Sequence, residues 1–407
     1  MLQKDQYIVR ELAKRYMELA LSEKQKKAYD RMQATNDLKL VRPPVLMDEI
    51  PWYQMDIGGE LVCRCEEERA REAEAFLRRA LYREKYFCCD ALAEPFWRVR
   101  MAYDSTGNGL QRREEILRTD AFNNIVSHRL MDALEDEETL EKAHAPQFTL
   151  RPDVDAENMD YYTRLFGDAM PVRLAGPGYD YFMPWDLISF LRGVEPIYTD
   201  VYDRPDYLHR LMRKFCDDEI ARLDFLEANM PIDTREYDLH CTPGMVSGLG
   251  QTGWKATWFR GAAQLFSSVS PAVFKEFEID YVKPIAERFG YTYYGCCEPL
   301  HDRLHAVKSI KNLRKIGVSP WADIEASAEQ IGGSYVYARK PNPAHVAVNT
   351  DEAVVRKEIE DTVKVCIKYG CPCEFVLKDI STVSGRPDNL IRWARTVKEV
   401  LDKYYGE

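Results

Sequence analysis

The sequence has no long apolar segment, no excess of basic charge and no apolar leader. No apolar run in its 407 residues approaches the roughly 20 needed to span a bilayer. The first residues, Met1-Leu-Gln-Lys-Asp-Gln6, lack the apolar core of a signal peptide. A net charge of −11 disfavours nucleic acid and anionic membranes as partners. We therefore predict a cytoplasmic protein with neither kind of partner.

Two further signatures are missing. The 11 cysteines include no CxxC…CxxC pattern, so the sequence does not indicate a structural zinc ribbon. In a cytoplasmic protein, these cysteines are expected to be thiols, metal ligands or core residues, not disulfides. No GxGxxG follows the first strand-like segment and no GxxxxGK[ST] occurs, which disfavours open nucleotide-binding sheets.

The chain does contain a regular alternation of strand-like and helix-like segments from residue 150 onward. This alternation predicts a parallel sheet with crossover helices. The number of units, about eight, favours an α/β fold of the closed (β/α)8 TIM-barrel type. The strand-like segments are 171–176, 236–241, 254–259, 291–297, 315–319, 335–339 and 374–379, and the helical ones are 205–229, 271–289, 323–331, 351–369 and 387–404.

Two parts of the N-terminal half lie outside this pattern. Apolar residues recur at three- and four-residue spacing over 4–35 and predict one long helix. We therefore expect an N-terminal helical extension, residues 1–40, before a barrel at 41–407. The interval 104–150, with an acidic helix near 129–143, is predicted to be an insertion near the barrel mouth.

One segment, residues 291–299, combines a predicted strand with adjacent reactive side chains. Tyr291-Thr-Tyr-Tyr-Gly-Cys-Cys-Glu-Pro299 begins as a strand, breaks at Gly295, and then presents Cys296, Cys297 and Glu298. Barrel strands present catalytic groups at their carboxyl ends, and adjacent thiol and carboxylate groups can bind a zinc-like ion. The alternative is two buried cysteines and a surface glutamate, because cysteine is among the most buried residue types.

Other candidates also follow strand-like runs, and each has a structural alternative. His240 is either a ligand or base at the mouth or a packing residue. Lys378 and Asp379 emerge from an apolar run, so they are expected to pair with each other or with a ligand. Asn342, between two prolines, is either a substrate donor or a turn residue. Trp258 either lines a substrate pocket or belongs to the core.

Residues 289–300, Phe-Gly-Tyr-Thr-Tyr-Tyr-Gly-Cys-Cys-Glu-Pro-Leu, resemble a strand-and-turn motif of the uroporphyrinogen decarboxylase-like superfamily. Ser270-Pro271, Lys340-Pro-Asn-Pro343 and residues 376–382 occur in the order that the superfamily requires. The resemblance is greatest to the corrinoid-dependent methyltransferase branch. True decarboxylases carry an arginine-bearing N-terminal motif, whereas residues 42–50 here place acids after the strand. An acidic mouth would repel a substrate with many carboxylates.

The resemblance implies a methyltransferase component of a corrinoid-dependent methyl-transfer (demethylase) system. The substrate would be a small methylated donor, such as a methyl ether or methylamine-like compound, or a methyl acceptor. No DxHxxG-like motif is present, so the corrinoid is expected on a separate partner protein. Glu298 is then the candidate general acid, with Lys378 and Asp379 as an orienting charge pair. His240, Asn342 and Trp258 are the candidate substrate-binding residues.

The branch usually binds zinc through a His-x-Cys pair and a later cysteine. Here the histidine position is Gly295, and the later cysteine position falls near Lys378 or Asp379. The prediction is therefore a modified zinc site formed by Cys297, Glu298 and His240.

Two other functions remain open at this point. The same fold can decarboxylate a porphyrinogen-like or other carboxylic acid without a metal, using arginines and a carboxylate. A non-enzymatic binding subunit of a larger complex is the third interpretation. Aromatic residues in 181–202 are candidates for a homodimer contact.

Overall fold

The computed structural model describes residues 2–118, 127–233 and 239–406. It contains parallel and antiparallel strands. Of the predicted strand at 236–241, residues 236–238 lie outside the described residues, and residues 239–241 form no strand. The strands are β1 (Val45–Met47), β2 (Trp97–Arg100), β3 (Tyr103–Ser105), β4 (Arg113–Leu117), β5 (Ser127–Met131), β6 (Phe148–Leu150), β7 (Val172–Ala175), β8 (Tyr179–Phe182), β9 (Trp258–Gly261), β10 (Tyr291–Tyr294), β11 (Leu313–Val318), β12 (Val336–Arg339) and β13 (Cys373–Leu377).

Helices separate most of the parallel strands. A π-helical stretch, Lys275–Ile279, joins α9 to α10. The helices are α1 (Gln3–Ala20), α2 (Glu23–Asn36), α3 (Glu68–Tyr86), α4 (Glu137–Glu141), α5 (Pro152–Phe166), α6 (Pro184–Arg192), α7 (Val194–Asp203), α8 (Pro205–Asn229), α9 (Pro271–Phe274), α10 (Asp280–Ala286), α11 (Leu304–Val307), α12 (Ile324–Ile331), α13 (Ala344–Ala347), α14 (Glu352–Tyr369) and α15 (Asp388–Tyr405). None of them, within the described residues, is long and apolar enough to cross a membrane.

The main sheet is parallel and has seven strands in the order β1-β13-β12-β11-β10-β9-β8. It curls into part of a barrel. Strands β2 and β7 form a separate parallel pair. The α/β class and the parallel sheet agree with the prediction, whereas a closed eight-stranded barrel is not formed by the strand pairs of the described residues.

The two faces of the main sheet have different environments. Phe259, Tyr294 and Phe375 belong to the large apolar cluster that the surrounding helices cover. Trp258 and Tyr293, one residue away in their strands, belong to a separate small cluster on the concave face. Because side chains alternate between faces along a strand, this assigns Arg260 to the concave face as well. The concave face therefore carries the polar residues.

Two of the predicted helices differ from the structure, and the predicted strand at 254–259 begins only at Trp258, after a 3-10 turn at Trp254–Ala256. The predicted helix 4–35 is broken, because Ser22 begins a second helix by accepting a hydrogen bond from the backbone N–H of Gln25 at 3.3 Å. The predicted acidic helix near 129–143 is reduced to α4, since residues 127–131 pair with β4 as a strand. Strands β3 and β6 also pair, so the strands of the described part of the interval 104–150 form two antiparallel ribbons.

A buried ion pair crosses the concave face near the amino-terminal half of the strands. Lys315 Nζ lies 2.7 Å from Glu374 Oε2 and donates to Thr242 Oγ1 at 2.9 Å. Thr242 in turn donates to Glu374 Oε1 at 2.8 Å. Removing one charge leaves the other buried and unpaired, which typically costs about 3–5 kcal/mol.

We expect Glu374→Leu and Lys315→Met each to lower the free energy of unfolding by about 3–5 kcal/mol. The double variant should recover most of that loss, because well-packed apolar residues often replace a buried ion pair without cost. Urea unfolding of the two single variants and the double variant measures this coupling. Losses that simply add in the double variant would contradict the pairing.

Candidate functional site

Polar side chains converge at the carboxyl ends of the strands of the main sheet. Lys340 and Lys378 come directly after β12 and β13, and Arg260 is the third residue of β9. Each of these three cationic side chains is at least 96% buried. Because all seven strands are parallel, their carboxyl ends lie at the same edge. Cys296, after β10, lies among these cations.

Gly295 makes the turn that delivers the cysteines. Its φ of +100° is a conformation that residues with a Cβ rarely adopt. A Cβ at Gly295 would also lie 2.5 Å from Leu300 Cδ1 and 3.2 Å from the backbone nitrogen of Gly317. The glycine therefore allows β10 and β11 to approach closely just before the two thiols.

The Cys296 thiol is fully buried and is surrounded by positively charged side chains. Lys378 Nζ lies 3.4 Å from its sulfur, and the charges of Arg260 and Lys340 also act on it. Interaction with the Cys297 thiol, together with these three charges, lowers the pKa of Cys296 against the opposing effect of burial. The three cations therefore favour the thiolate form of Cys296.

The Cys297 thiol has one proton and two possible hydrogen-bond acceptors, Asp379 and the sulfur of Cys296. Its sulfur lies 2.9 Å from Asp379 Oδ2 and 3.6 Å from the sulfur of Cys296. The shorter contact indicates that the proton is donated to the Asp379 carboxylate. The Cys296 thiolate then depends chiefly on the cations around it. Cys297 itself stays a neutral thiol, because the adjacent negative charge and burial raise its pKa.

Glu298 turns inward instead of toward solvent. It is 1% exposed, and its carboxylate accepts hydrogen bonds from the backbone N–H of Cys296 at 2.9 Å and of Ala263 at 3.3 Å. Burial, aided by the negative charge of Cys296, raises the pKa of Glu298 to about 7. This carboxyl can therefore hold or release a proton near neutral pH.

Lys378 connects Cys296 to two more exposed acids, Asp379 and Glu49, which we call the acidic rim. Its Nζ lies 3.2 Å from Asp379 Oδ1 and 3.7 Å from Glu49 Oε2. The backbone N–H of Asp379, a residue with φ of +58°, donates to Glu49 at 2.8 Å. Burial raises the pKa of Glu49 to about 7, whereas the contacts with Cys297 and Lys378 lower the pKa of Asp379.

A mixed group of potential metal ligands lies beside this cluster. One donor atom each of Glu49, His240 and Cys241 lies within 4.8 Å of the other two. All three residues have positive φ, at 50°, 57° and 70°. The His240 ring stacks on Tyr181 at a centroid distance of 4.6 Å. Burial and nearby cations lower the pKa of His240 to about 4, so the imidazole is neutral.

This group fits zinc by its donor chemistry. Zinc accepts sulfur, nitrogen and oxygen donors, and a catalytic site needs three protein ligands. The predicted set shares only His240 with it. Within the described residues, Cys297, Glu298 and His240 are not such a group. Glu298 instead bonds the backbone, and the nearest polar contact of Cys297 is Asp379.

Two predicted substrate-binding residues have structural contacts. The indole N–H of Trp258, a residue that is 2% exposed and opens β9, donates to the carbonyl of Gly244 at 2.8 Å. It thus lies at the amino-terminal end of the strand, away from the cysteines. The Asn342 side-chain oxygen accepts from the backbone N–H of Ala344 at 3.0 Å, which is a turn contact. Neither makes a hydrogen bond to the cysteine cluster in the described part of the chain.

The structure also adds residues that the sequence did not single out. Arg260 packs its guanidinium over the Tyr293 ring at 3.8 Å, and Lys340 Nζ donates to the Tyr293 hydroxyl. Strict alternation along Trp258-Phe-Arg260 would have placed the arginine on the concave face. The sequence indicates less clearly that Glu49 and Cys241 lie close together, because their contact depends on turns with positive φ.

At the level of sequence, no protein-family model and no curated protein matches the chain. A solved structure, a methyltransferase from Methanosarcina mazei, is similar in fold with a TM-score of 0.52. The match covers 93% of this chain and 99% of that chain at 14% sequence identity. At this identity the similarity shows a shared fold that extends over nearly the whole of both chains.

Proposed function

We propose that the chain is the methyltransferase component of a corrinoid-dependent methyl-transfer system that acts on a small methylated compound. The observation that carries this proposal is the position of Glu298, a carboxyl with a pKa of about 7, beside Cys296, whose sulfur contacts Lys378. The similarity in fold to a methyltransferase supports it. The uroporphyrinogen decarboxylase-like superfamily, and its methyltransferase branch, are part of the same proposal.

The proposed reaction would transfer a methyl group from a donor heteroatom to a corrinoid carried by a separate protein. The carbon–heteroatom bond breaks, and its electron pair stays on the leaving heteroatom, which then takes a proton. Glu298 is the proposed source of that proton. Lys378, held by Asp379, would balance negative charge that develops beside it.

We further propose that zinc is the metal held by Glu49, His240 and Cys241. The neutral imidazole and the buried thiol are suitable donors. A zinc ion there would supply Lewis-acid polarisation of the leaving heteroatom. The chain's own contribution is to hold the three donors together through left-handed turns and to place Lys378 next to Glu49.

We also propose that the sheet closes into a barrel of the TIM type, with the β2–β7 pair continuing it beyond β1. A cavity of about 380 Å³ is lined by Leu46 and Met47 of β1 and by Trp97 and Arg98 of β2. These two strands are therefore neighbours across a gap. An experimental structure with β1–β2 hydrogen bonds would support closure, and one with this gap intact would contradict it.

The proposal is tested by adding the protein and a panel of methyl ethers and methylamines to cob(I)alamin. Loss of the cob(I)alamin absorbance with one donor class is the expected result. The exposed Glu329 offers a matched control, since Glu329→Gln should leave the rate unchanged. Loss of absorbance with no donor in a broad panel, or at the same rate without protein, would contradict methyl transfer.

Decarboxylation is the second candidate, and one observation favours it. Arg260, Lys340 and Lys378 form a buried cationic group under the acidic rim, and cations in a cleft bind carboxylates. Carbon dioxide release from a small acid by metal-free protein, with no transfer to cob(I)alamin, would favour this reaction. A lack of turnover in both assays would favour a binding subunit.

A further inference from the structure

Arg260 is buried without the acid that a buried arginine usually needs. The residue is 1% exposed, and its Nε is buried with no hydrogen-bond acceptor. Its Nη1 donates to the carbonyl of Gly261 at 3.0 Å. In the described part of the chain, no carboxylate forms an ion pair with Arg260. A guanidinium carries five N–H donors, so most of its hydrogen-bonding capacity remains unused.

Lys340 is a second buried cation in contact with Tyr293. It is 2% exposed, and its ammonium donates to the Tyr293 hydroxyl. Its Nζ lies 5.2 Å from the centre of the Tyr293 ring, and the Arg260 guanidinium carbon lies 3.8 Å from it. Among the described residues, Lys340 likewise has no ion pair with a carboxylate. Two buried cations therefore face the same aromatic ring.

The other charges of the concave face are already paired. Lys315 has Glu374, and Lys378 has Asp379 and Glu49. Glu298 is neutral when it carries the proton that the proposed reaction needs. Arg260 and Lys340 then have one anionic neighbour between them, the Cys296 thiolate, so this pair of cations has a local excess of one positive charge. A buried unpaired charge is costly, which makes this position receptive to one anion.

We infer that Arg260 and Lys340 form a subsite for a single carboxylate carried by the small-molecule substrate. This inference rests on the proposed function and narrows its substrate to methylated monocarboxylic acids. The planar guanidinium fork matches a carboxylate, and the lysine adds a second charge-assisted bond. The surplus of one charge favours a monoacid. The acids of the rim, Asp379 and Glu49, disfavour a polycarboxylate.

Binding of methoxyacetate and of its neutral analogue methoxyacetamide to the wild-type protein, measured by calorimetry, tests the subsite without turnover. We expect the acid to bind about 10- to 100-fold more tightly than the amide, the usual effect of one or two charge-assisted hydrogen bonds. Methoxymalonate, with two carboxylates, should bind more weakly than methoxyacetate. Equal binding of acid and amide, or no binding of either, would overturn the inference.

Variants locate the subsite. Arg260→Gln and Lys340→Met should each reduce acid binding about tenfold or more and leave amide binding unchanged. Lys308→Met, a half-buried lysine outside the cluster, is the matched control and should change neither affinity. An acid preference that survives in both site variants would overturn the assignment to Arg260 and Lys340. An acid preference without any methyl transfer would sustain the subsite while contradicting the proposed function.

Discussion

Replacing Glu298 by glutamine is expected to lower the rate of methyl transfer by about 10²- to 10⁴-fold, the usual contribution of a general acid. Glutamine keeps the size of the side chain but has no acidic proton to give. The measurement is the initial rate of cob(I)alamin consumption at saturating donor, with Glu329→Gln as the exposed control. Thermal unfolding of each variant identifies any loss of folded protein.

The pH profile separates a chemical role of Glu298 from a structural one. Burial raises the pKa of this carboxyl to about 7, so it carries its proton below that pH and loses it above. The wild-type rate should therefore fall as the pH rises through about 7. The residual rate of Glu298→Gln should not show that step. If the rate of the glutamine variant falls with pH as the wild-type rate does, Glu298 is not the general acid. Its role would then be structural, through its hydrogen bonds with the backbone of Cys296 and Ala263.

The second large effect concerns zinc. Purified without chelator, the protein should contain near-stoichiometric zinc, and Cys241→Ser and His240→Ala should each weaken zinc binding at least about 100-fold. Loss of a residue that only orients a ligand already costs about 10–100-fold, and a lost ligand costs at least as much. Elemental analysis and competition with a chromogenic chelator measure both quantities.

Cys297→Ser provides the matched comparison for the metal. Its sulfur bonds Asp379, and it is outside the group formed by Glu49, His240 and Cys241. This variant should therefore keep its zinc, contrary to the ligand set expected from the sequence. Zinc that is lost with Cys297→Ser but retained with Cys241→Ser would restore the sequence-based set.

The placement of the cysteine cluster could be predicted from the sequence because it depends on local patterns. A strand-like run followed by Gly295 predicts that Cys296 and Cys297 leave the sheet at its carboxyl end. The same reasoning applies to Lys378 and Asp379, and the structure does bring these four residues together. Parallel strands share one edge, so residues that follow different strands meet without any long-range signal in the sequence.

Contacts that depend on side-chain direction or on unusual backbone could not be predicted in this way. Glu298 follows the same turn as the cysteines, yet it folds back to bond the backbone of Ala263. Glu49 and Cys241 are far apart in sequence and come together through turns with positive φ. Non-glycine residues seldom adopt this conformation, so the sequence gives no basis for predicting it. Trp258 begins its strand, so its indole lies at the opposite end of β9 from the cysteine cluster.

The central claim is that a cysteine thiolate held by buried cations forms the centre of the site, and its titration tests that claim most directly. The ultraviolet thiolate absorbance of Cys296, taken as the difference between Cys297→Ser and Cys296→Ser/Cys297→Ser, can be measured as a function of pH in the folded protein. The account predicts a midpoint well below the ordinary thiol pKa of about 8.5 and an upward shift in Cys297→Ser/Lys378→Met. An ordinary midpoint that Lys378→Met leaves unchanged would contradict it.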